Sequence, residues 1–271
     1  MDLQLKGRRV LVTGSNIGIG EGIANVLVRE GAVVVIHGRD EKRVQAVTRK
    51  IKESGGQAFA AFGDLSTDAG VKPVVDATRA QVGGIDILVN NAGGVEPTAP
   101  GWFSSTTADW AAATEKNTIS SVRLIHAFVP EMRERAWGRV INISSSGAVQ
   151  AVPHSAHYCA AKAALNNLTL SLSKELSGTG VTVNAVSPGP IRTPTFEVWL
   201  TSVAKSRAWA GETFEDFEAI YLKEMGALRS TRIGRVEDIG NAVAFLASPL
   251  SDFITGTNIR VDGGQISTIN G

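Results

Sequence analysis

Short apolar runs alternate along this chain with longer stretches in which apolar positions recur every three or four residues. The runs Val10–Thr13, Val33–His37, Ala58–Phe62, Ile85–Asn90, Val140–Ser144, Val181–Ser187 and Thr257–Val261 read as strands. Several are unbroken Val/Ile/Leu sequences, the pattern of strands buried on both faces of a parallel sheet. Between the first two, Ile19, Ile23, Val26 and Leu27 keep helical spacing, as do Val44, Val47 and Ile51 between the second and third. This alternation predicts an α/β fold: a doubly wound, seven-stranded parallel sheet with helices on both faces. No repeat, low-complexity tract or linker interrupts it, and 271 residues suffice for one large domain with a buried core, so residues 1–271 are expected to form a single domain. One stretch breaks the rhythm. Pro190 to Gly226 sets Phe196, Trp199, Trp209, Phe214 and Phe217 among polar residues, which predicts a helical insertion at about 190–226, ahead of a last helix at Val236–Ala247.

Charge and composition narrow the function classes. With 27 Lys+Arg against 26 Asp+Glu, the chain has no strong field to draw it to nucleic acid or to an acidic membrane. The first nine residues are polar, and no run of about eighteen apolar residues occurs, so neither a signal peptide nor a membrane span is expected. The lone cysteine, Cys159, cannot close an intrachain disulfide, which fits a reducing compartment. The expectation is a cytoplasmic protein with neither nucleic acid nor membrane as partner. His154 and His157 stand three apart without an acidic partner at ligand spacing, so no metal site is expected.

Thr13-Gly14-Ser15-Asn16-Ile17-Gly18-Ile19-Gly20 joins the first strand to the first helix. Glycines at such a junction permit a tight turn and bring backbone N–H groups up to a pyrophosphate, which the helix N-terminus also favours. Gly14, Ser15, Asn16, Ile17, Gly18, Ile19 and Gly20 are therefore candidate dinucleotide contacts. An acidic side chain ending the second strand would hold the ribose hydroxyls of NAD and repel a 2′-phosphate. Here that strand ends His37-Gly38-Arg39, with glycine in the carboxylate's place and a guanidinium suited to phosphate beside it. The pattern favours NADP(H) over NAD(H), although Asp40 is near enough to neutralise Arg39.

Tyr158-Cys159-Ala160-Ala161-Lys162 sets a phenol and an ammonium four residues apart, on one face if Ala156 to Ser177 is helical. A tyrosine ordinarily titrates near ~10. A neighbouring Lys⁺ and a positively charged nicotinamide would both favour the phenolate and lower that value, which makes Tyr158 the candidate acid/base. Cys159 points about 100° away round the helix and reads as a packing residue.

The spacing TGxxxGxG resembles the short-chain dehydrogenase/reductase family, and further motifs follow in that family's order between Leu5 and Gly264. They are Asp64-Leu65, Asn90-Asn91-Ala92-Gly93, Ser145 thirteen residues before Tyr158, and Ser187-Pro188-Gly189-Pro190-Ile191-Arg192-Thr193. The resemblance implies a Rossmann-type dinucleotide-binding and catalytic domain and an NADP(H)-dependent oxidoreductase that reduces a ketone or 3-oxo compound to an alcohol, reversibly. It implies that Tyr158 is the acid/base beside Lys162 and that Ser145 holds the substrate carbonyl, with Ser144 and Ser146 as rivals. Asn117, in Glu115-Lys116-Asn117-Thr118, would hold a water linking Lys162 to solvent. Asp64 and Leu65 would meet the adenine, and Asn91, Ala92 and Gly93 the adenosine ribose. Pro188, Gly189, Ile191 and Thr193 would lie at the nicotinamide carboxamide.

NADP-specific members often carry a basic residue just before the second glycine, where this chain has Ile17, so NAD(H) stays the alternative. The resemblance further implies a homotetramer. The weakly polar face Ala160, Ala163, Ala164, Leu168 and Leu172 is free to pack on the sheet or on another subunit. The aromatic insertion is expected to act as a lid over a small-molecule carbonyl or alcohol, with Gly94 to Trp102 as the opposite rim. The 3-oxoacyl-acyl-carrier-protein reductases look nearest among subgroups. Ala136 and Thr179 stand where those enzymes carry arginines, which favours a small or medium ketone over a carrier-protein substrate. The alternatives are an NAD-dependent alcohol, sugar or steroid dehydrogenase, a carrier-protein reductase, and a non-catalytic dinucleotide sensor. The sensor is disfavoured because it has no need of the Tyr158/Lys162 pair.

Overall fold

A computed structural model of the chain describes residues 1–95, 101–225 and 228–268. The strands are β1 (Arg9–Val12), β2 (Val33–Gly38), β3 (Gln57–Phe62), β4 (Ile87–Asn90), β5 (Gly138–Ile143), β6 (Val181–Pro188) and β7 (Asn258–Val261). Between them run α1 (Gly18–Arg29), α2 (Glu41–Glu53), α3 (Asp68–Val82), α4 (Thr107–Thr114), α5 (Ser120–Glu134), α6 (Ala156–Glu175), α7 (Pro194–Ser206), α8 (Phe214–Met225) and α9 (Val236–Ala247). The seven strands form one parallel sheet in the order β3-β2-β1-β4-β5-β6-β7. β1 lies between β2 and β4, so the winding reverses there and leaves a crevice above the strands' C-terminal ends.

Successive side chains of a strand point to opposite faces, and the core follows that rule. Val10 and Val12 of β1 join Ile23, Leu27, Val243 and Leu246 in one apolar layer. Leu11 joins Val74, Leu88, Leu124 and Phe128 in the other. Each such side chain contributes roughly 1.5–3 kcal/mol on burial. All seven expected strands form, with ends displaced by a residue or two. β4 starts at Ile87 because Ile85, though buried, belongs to the preceding turn. β5 starts at Gly138, which pairs with Val181, so that glycine sits in the ladder and not in a turn.

The insertion is helical and has its own apolar centre: Leu200, Ala204, Phe217, Tyr221 and Ile233, with Phe196, Trp209 and Phe214 packed against it. The expected lid ends at Gly226 and the opposite rim includes residues 96–100, and these lie outside the described residues. On α6 the weakly polar residues divide. Leu168 and Leu172 pack on the second core layer, whereas Ala160, Ala163 and Ala164 are exposed. Among the described residues no helix is long and apolar enough to cross a membrane.

Candidate active site

A small set of polar bonds fastens α6 to the sheet. Asn142 Nδ2 donates to Thr169 Oγ1 (2.9 Å), Ser144 Oγ to the carbonyl of Lys162 (3.3 Å), and Lys162 Nζ to the carbonyl of Ile143 (2.8 Å). Tyr158 and Lys162 thus leave one helix face directly over the end of β5. Ser145 follows β5, and its Oγ accepts from Gly147 N (3.0 Å) and hydrogen-bonds the Tyr158 side chain. Of the three consecutive serines, Ser144 is buried against α6 and Ser145 meets the tyrosine.

Asn117 arrives from the other side. α4 runs into α5 through a π-turn at Glu115–Ile119, and Asn117 sits buried at its centre. Such turns are rare and cluster at functional sites. Asn117 Oδ1 accepts from Gly94 N (2.8 Å), and its Nδ2 donates to Ala113 O (3.0 Å). Thr118 Oγ1 donates to Ala161 O (2.8 Å), which pins this turn to α6. A methyl built on Gly93 would come 2.6 Å from Asn117 Oδ1 and 3.4 Å from Lys162 Nζ, so the glycine is the meeting point of the two side chains.

In the protein alone, burial dominates the electrostatics of the pair. Burial raises the Tyr158 phenol above the ordinary tyrosine range, and the Ser145 hydrogen bond offsets this only in part. Lys162 Nζ lies 5.9 Å from the phenol ring centroid; the residue is 3% exposed and is itself pushed down to about 8 by burial. Both groups resist charge for the same reason, loss of water.

A cleft of about 680 Å³ opens at the winding reversal, lined by Gly14, Asn16, Ile17, Gly38, Arg39, Arg43, Asp64, Leu65, Asn91, Ala92 and Gly93 among others. Two close approaches shape it. A methyl on Gly20 would fall 2.3 Å from Gly14 O, so only glycine lets the helix start beneath the loop. One on Gly38 would fall 2.6 Å from Asn16 Cγ, so an acidic side chain there would have to displace Asn16. Asn91 Nδ2 donates to Thr13 O (2.8 Å) and Gly14 O (3.2 Å), tying the end of β4 to the loop. Gly18 faces Thr193, whose Cγ2 would lie 3.5 Å from a methyl there.

Five other expected contacts, Ser15, Ile19, Pro188, Gly189 and Ile191, are outside the lining of this cleft. Ser15 is fully buried: its Oγ donates to Val12 O (2.7 Å) and its N–H to His37 O (2.9 Å). Ile19 packs on the first core layer. Pro188 is inside β6, Gly189 N donates to Val261 O (3.1 Å), and Ile191 is buried beside Gly234.

At the cleft's far end Arg39 is 70% exposed and pairs with Asp64 at 3.7 Å. The carboxylate facing Arg39 is therefore Asp64. Asp40 instead caps α2 by accepting from Arg43 N (3.1 Å) and pairs with Arg43 (3.3 Å). Hydrogen bonds from Ser66, first from its N–H and then from its hydroxyl, hold Asp64 below the usual carboxylate range, with Arg39 adding to this. Arg43, one helical turn beyond Arg39, escaped the sequence reading, as did His37, which lines the cleft from β2. His154 is exposed and His157 is buried with its ring 6.1 Å from that of Trp110, so the two histidines do not converge.

A glycine-lined cleft at the reversal of a parallel sheet, with its lining residue Gly93 against Asn117 and Lys162, is an arrangement of the Rossmann class. A family model described as enoyl-(acyl carrier protein) reductase matches residues 14–265. The uncharacterised oxidoreductase YvaG of Bacillus subtilis (strain 168) is 38% identical over 275 residues, which cover 99% of this chain and 100% of that protein. The crystal structure of L-sorbose reductase from Gluconobacter frateurii, complexed with NADPH and L-sorbose, superposes with a TM-score of 0.90 at 30% identity, covering 99% and 100% of the two chains. A 7α-hydroxysteroid dehydrogenase complexed with NADH and 7-oxo glycochenodeoxycholic acid superposes with a TM-score of 0.84 at 30% identity, covering 99% and 98%. This chain belongs to the short-chain dehydrogenase/reductase family of oxidoreductases.

Proposed function

We propose that the chain, as one dinucleotide-binding and catalytic domain, is an NADP(H)-dependent oxidoreductase that reduces a small or medium ketone to an alcohol, reversibly. The observation that carries this reading is the gathering of Ser145, Tyr158, Lys162 and Asn117 next to Gly93, itself part of the lining of a cleft that also holds Arg39 and Arg43. The cleft fits a dinucleotide by its volume and glycine-lined floor, with the start of α1 beside it for a pyrophosphate. Arg39 and Arg43 would take the 2′-phosphate and Thr193 the carboxamide. NADP(H), when bound, supplies or accepts the hydride.

The protein's own residues handle the proton. Ser145 donates to the substrate carbonyl and fixes it within reach of Tyr158. The buried phenol, raised above its ordinary range, keeps its proton until the carbonyl oxygen becomes an alkoxide, a far stronger base. Lys162, titrating at about 8, exchanges protons near neutral pH, and Asn117 positions the water that connects it to solvent. In the oxidative direction the same groups run in reverse. α7 and α8 form the lid in this reading. The exposed Ala160, Ala163 and Ala164 on α6 belong to the contact that builds a homotetramer.

The similarity to the sorbose reductase supports a polyhydroxy ketone as substrate class. A second reading, an NAD-dependent steroid or alcohol dehydrogenase, rests on Asp64 standing 3.7 Å from Arg39 and partly neutralising it. Loss of nicotinamide absorbance with NADPH and with NADH, against a ketohexose, a 7-oxo bile acid and a 3-oxo ester, separates the two. Turnover preferring NADPH is expected. Preference for NADH favours the second reading, and tight NADPH binding without turnover of any ketone favours a sensor.

A further inference from the structure

We propose that His37 is a positioning residue for the dinucleotide: its buried imidazole ties the ends of three adjacent strands and sets the height of the glycine loop on which the pyrophosphate rests. Gly14 N donates to His37 Nδ1 (3.1 Å), and His37 Nε2 lies 3.1 Å from the carbonyl of Gly63. A backbone N–H can only donate and a carbonyl can only accept. The ring is therefore the neutral Nε2–H tautomer, receiving from the loop after β1 and donating to the residue after β3. It is 2% exposed, and burial pushes it down to about 4, so that tautomer persists at neutral pH.

The backbone of His37 grips the same loop. Its N–H donates to Ser15 Oγ (3.0 Å), and its carbonyl accepts from Ser15 N (2.9 Å). Next along, Gly38 gives Asn16 its room. Gly14, Ser15 and Asn16 are thus each seated against His37 or Gly38, and through Gly63 the imidazole also fixes the position of Asp64, the partner of Arg39. Without the ring, Gly14 N–H and Gly63 C=O lose a partner in the partly buried floor of the cleft, and the loop shifts to recover one. The shift acts where NADPH and NADH are identical, at the pyrophosphate. Arg39 acts only where they differ.

The inference rests on the dinucleotide reading, and its test is binding, measured apart from turnover. Dissociation constants for NADPH and for NADH are measured by calorimetric titration of wild type, His37→Leu and His37→Asn, with thermal melting of each. Asn keeps an acceptor where Nδ1 stood; Leu keeps neither bond. His37→Leu is expected to weaken both cofactors about tenfold or more and in parallel, from the displaced loop and its unpartnered, partly buried groups. kcat at saturating cofactor should hold within about twofold, and His37→Asn should recover most of the affinity. Unchanged affinity in a folded His37→Leu, a change in the NADPH-to-NADH ratio, or a folded His37→Asn no tighter than His37→Leu overturns the proposal. Wild type binding neither dinucleotide overturns the functional reading itself. Should His37→Leu not fold, nitrogen NMR of the wild-type imidazole decides. An Nε2–H ring whose Nδ1 resonance moves on saturation with NADPH supports the proposal, and an unmoved resonance overturns it.

Discussion

The wall of the cleft and the α7–α8 insertion are built from different forces. The wall is made of strand ends joined by buried and part-buried bonds: Gly14 to His37, Ser15 to His37, and Asn91 to Thr13 and Gly14. Such bonds are shielded from much of the solvent, and breaking one leaves a backbone polar group short of a partner. The insertion stands on a small apolar centre, with Trp199 43% exposed beside Phe196 and Tyr221. Its tie to the loop after β6 is Arg192, which pairs with Glu197 (2.7 Å) and Glu215 (2.9 Å) and stacks 4.0 Å over Phe214. All three charged groups are at least two-fifths exposed, where ion pairs are individually weak. In the proposed function, the wall is preorganised for a constant ligand and the insertion, held by weaker contacts, adjusts to a variable one.

Substitutions can break this contrast, and the largest effect belongs to neither region but to the proton donor. Tyr158→Phe should lower kcat by about 10³-fold or more, as expected for a lost general acid, while NADPH affinity measured by titration stays within about twofold.

The next effect tests the wall through pH. An unfolded histidine titrates near ~6.5, and folded His37 at about 4. Between those values the unfolded chain binds more protons, so stability rises with pH across that window. It is lost as pH falls from about 6.5 toward 4, by on the order of 3 kcal/mol. Urea unfolding from pH 7 to pH 4 should show this slope in wild type and a shallower one in His37→Asn, and equal slopes would remove the ring from the account. Arg39→Asp should cost about 2 kcal/mol of NADPH affinity and spare NADH, the loss of a charge-assisted phosphate contact. Equal loss of both cofactors in binding assays would take Arg39 away from the 2′-phosphate. The smallest effect is on the insertion: Glu215→Gln should leave the melting temperature nearly unchanged, because the pair it removes is exposed. A larger loss would mean that the insertion is as firmly built as the wall.

Much of the wall was legible in the chain. Apolar periodicity located all seven strands, and the glycine spacing located the loop, because both are local consequences of backbone geometry. The thirteen-residue interval correctly brought Ser145 to Tyr158, since a strand end and the following helix start must meet. What stayed hidden depends on contacts between distant residues. Arg39 meets Asp64 only because β2 and β3 are neighbours, and His37 looked like an ordinary strand end until Gly14 and Gly63 closed on it. The burial that raises the Tyr158 phenol in the protein alone is likewise not local, and no spacing along the helix reveals it. Asn117 in a helical pattern gave no hint of the π-turn that turns it inward.

The most direct test follows the hydride itself. Wild-type protein is incubated with NADPH deuterated at the transferable nicotinamide position and the ketone panel, and the products are read by mass spectrometry. The account predicts an alcohol carrying one deuterium on the former carbonyl carbon, absent with Tyr158→Phe. No labelled alcohol from any ketone, from a protein that binds NADPH, would contradict it.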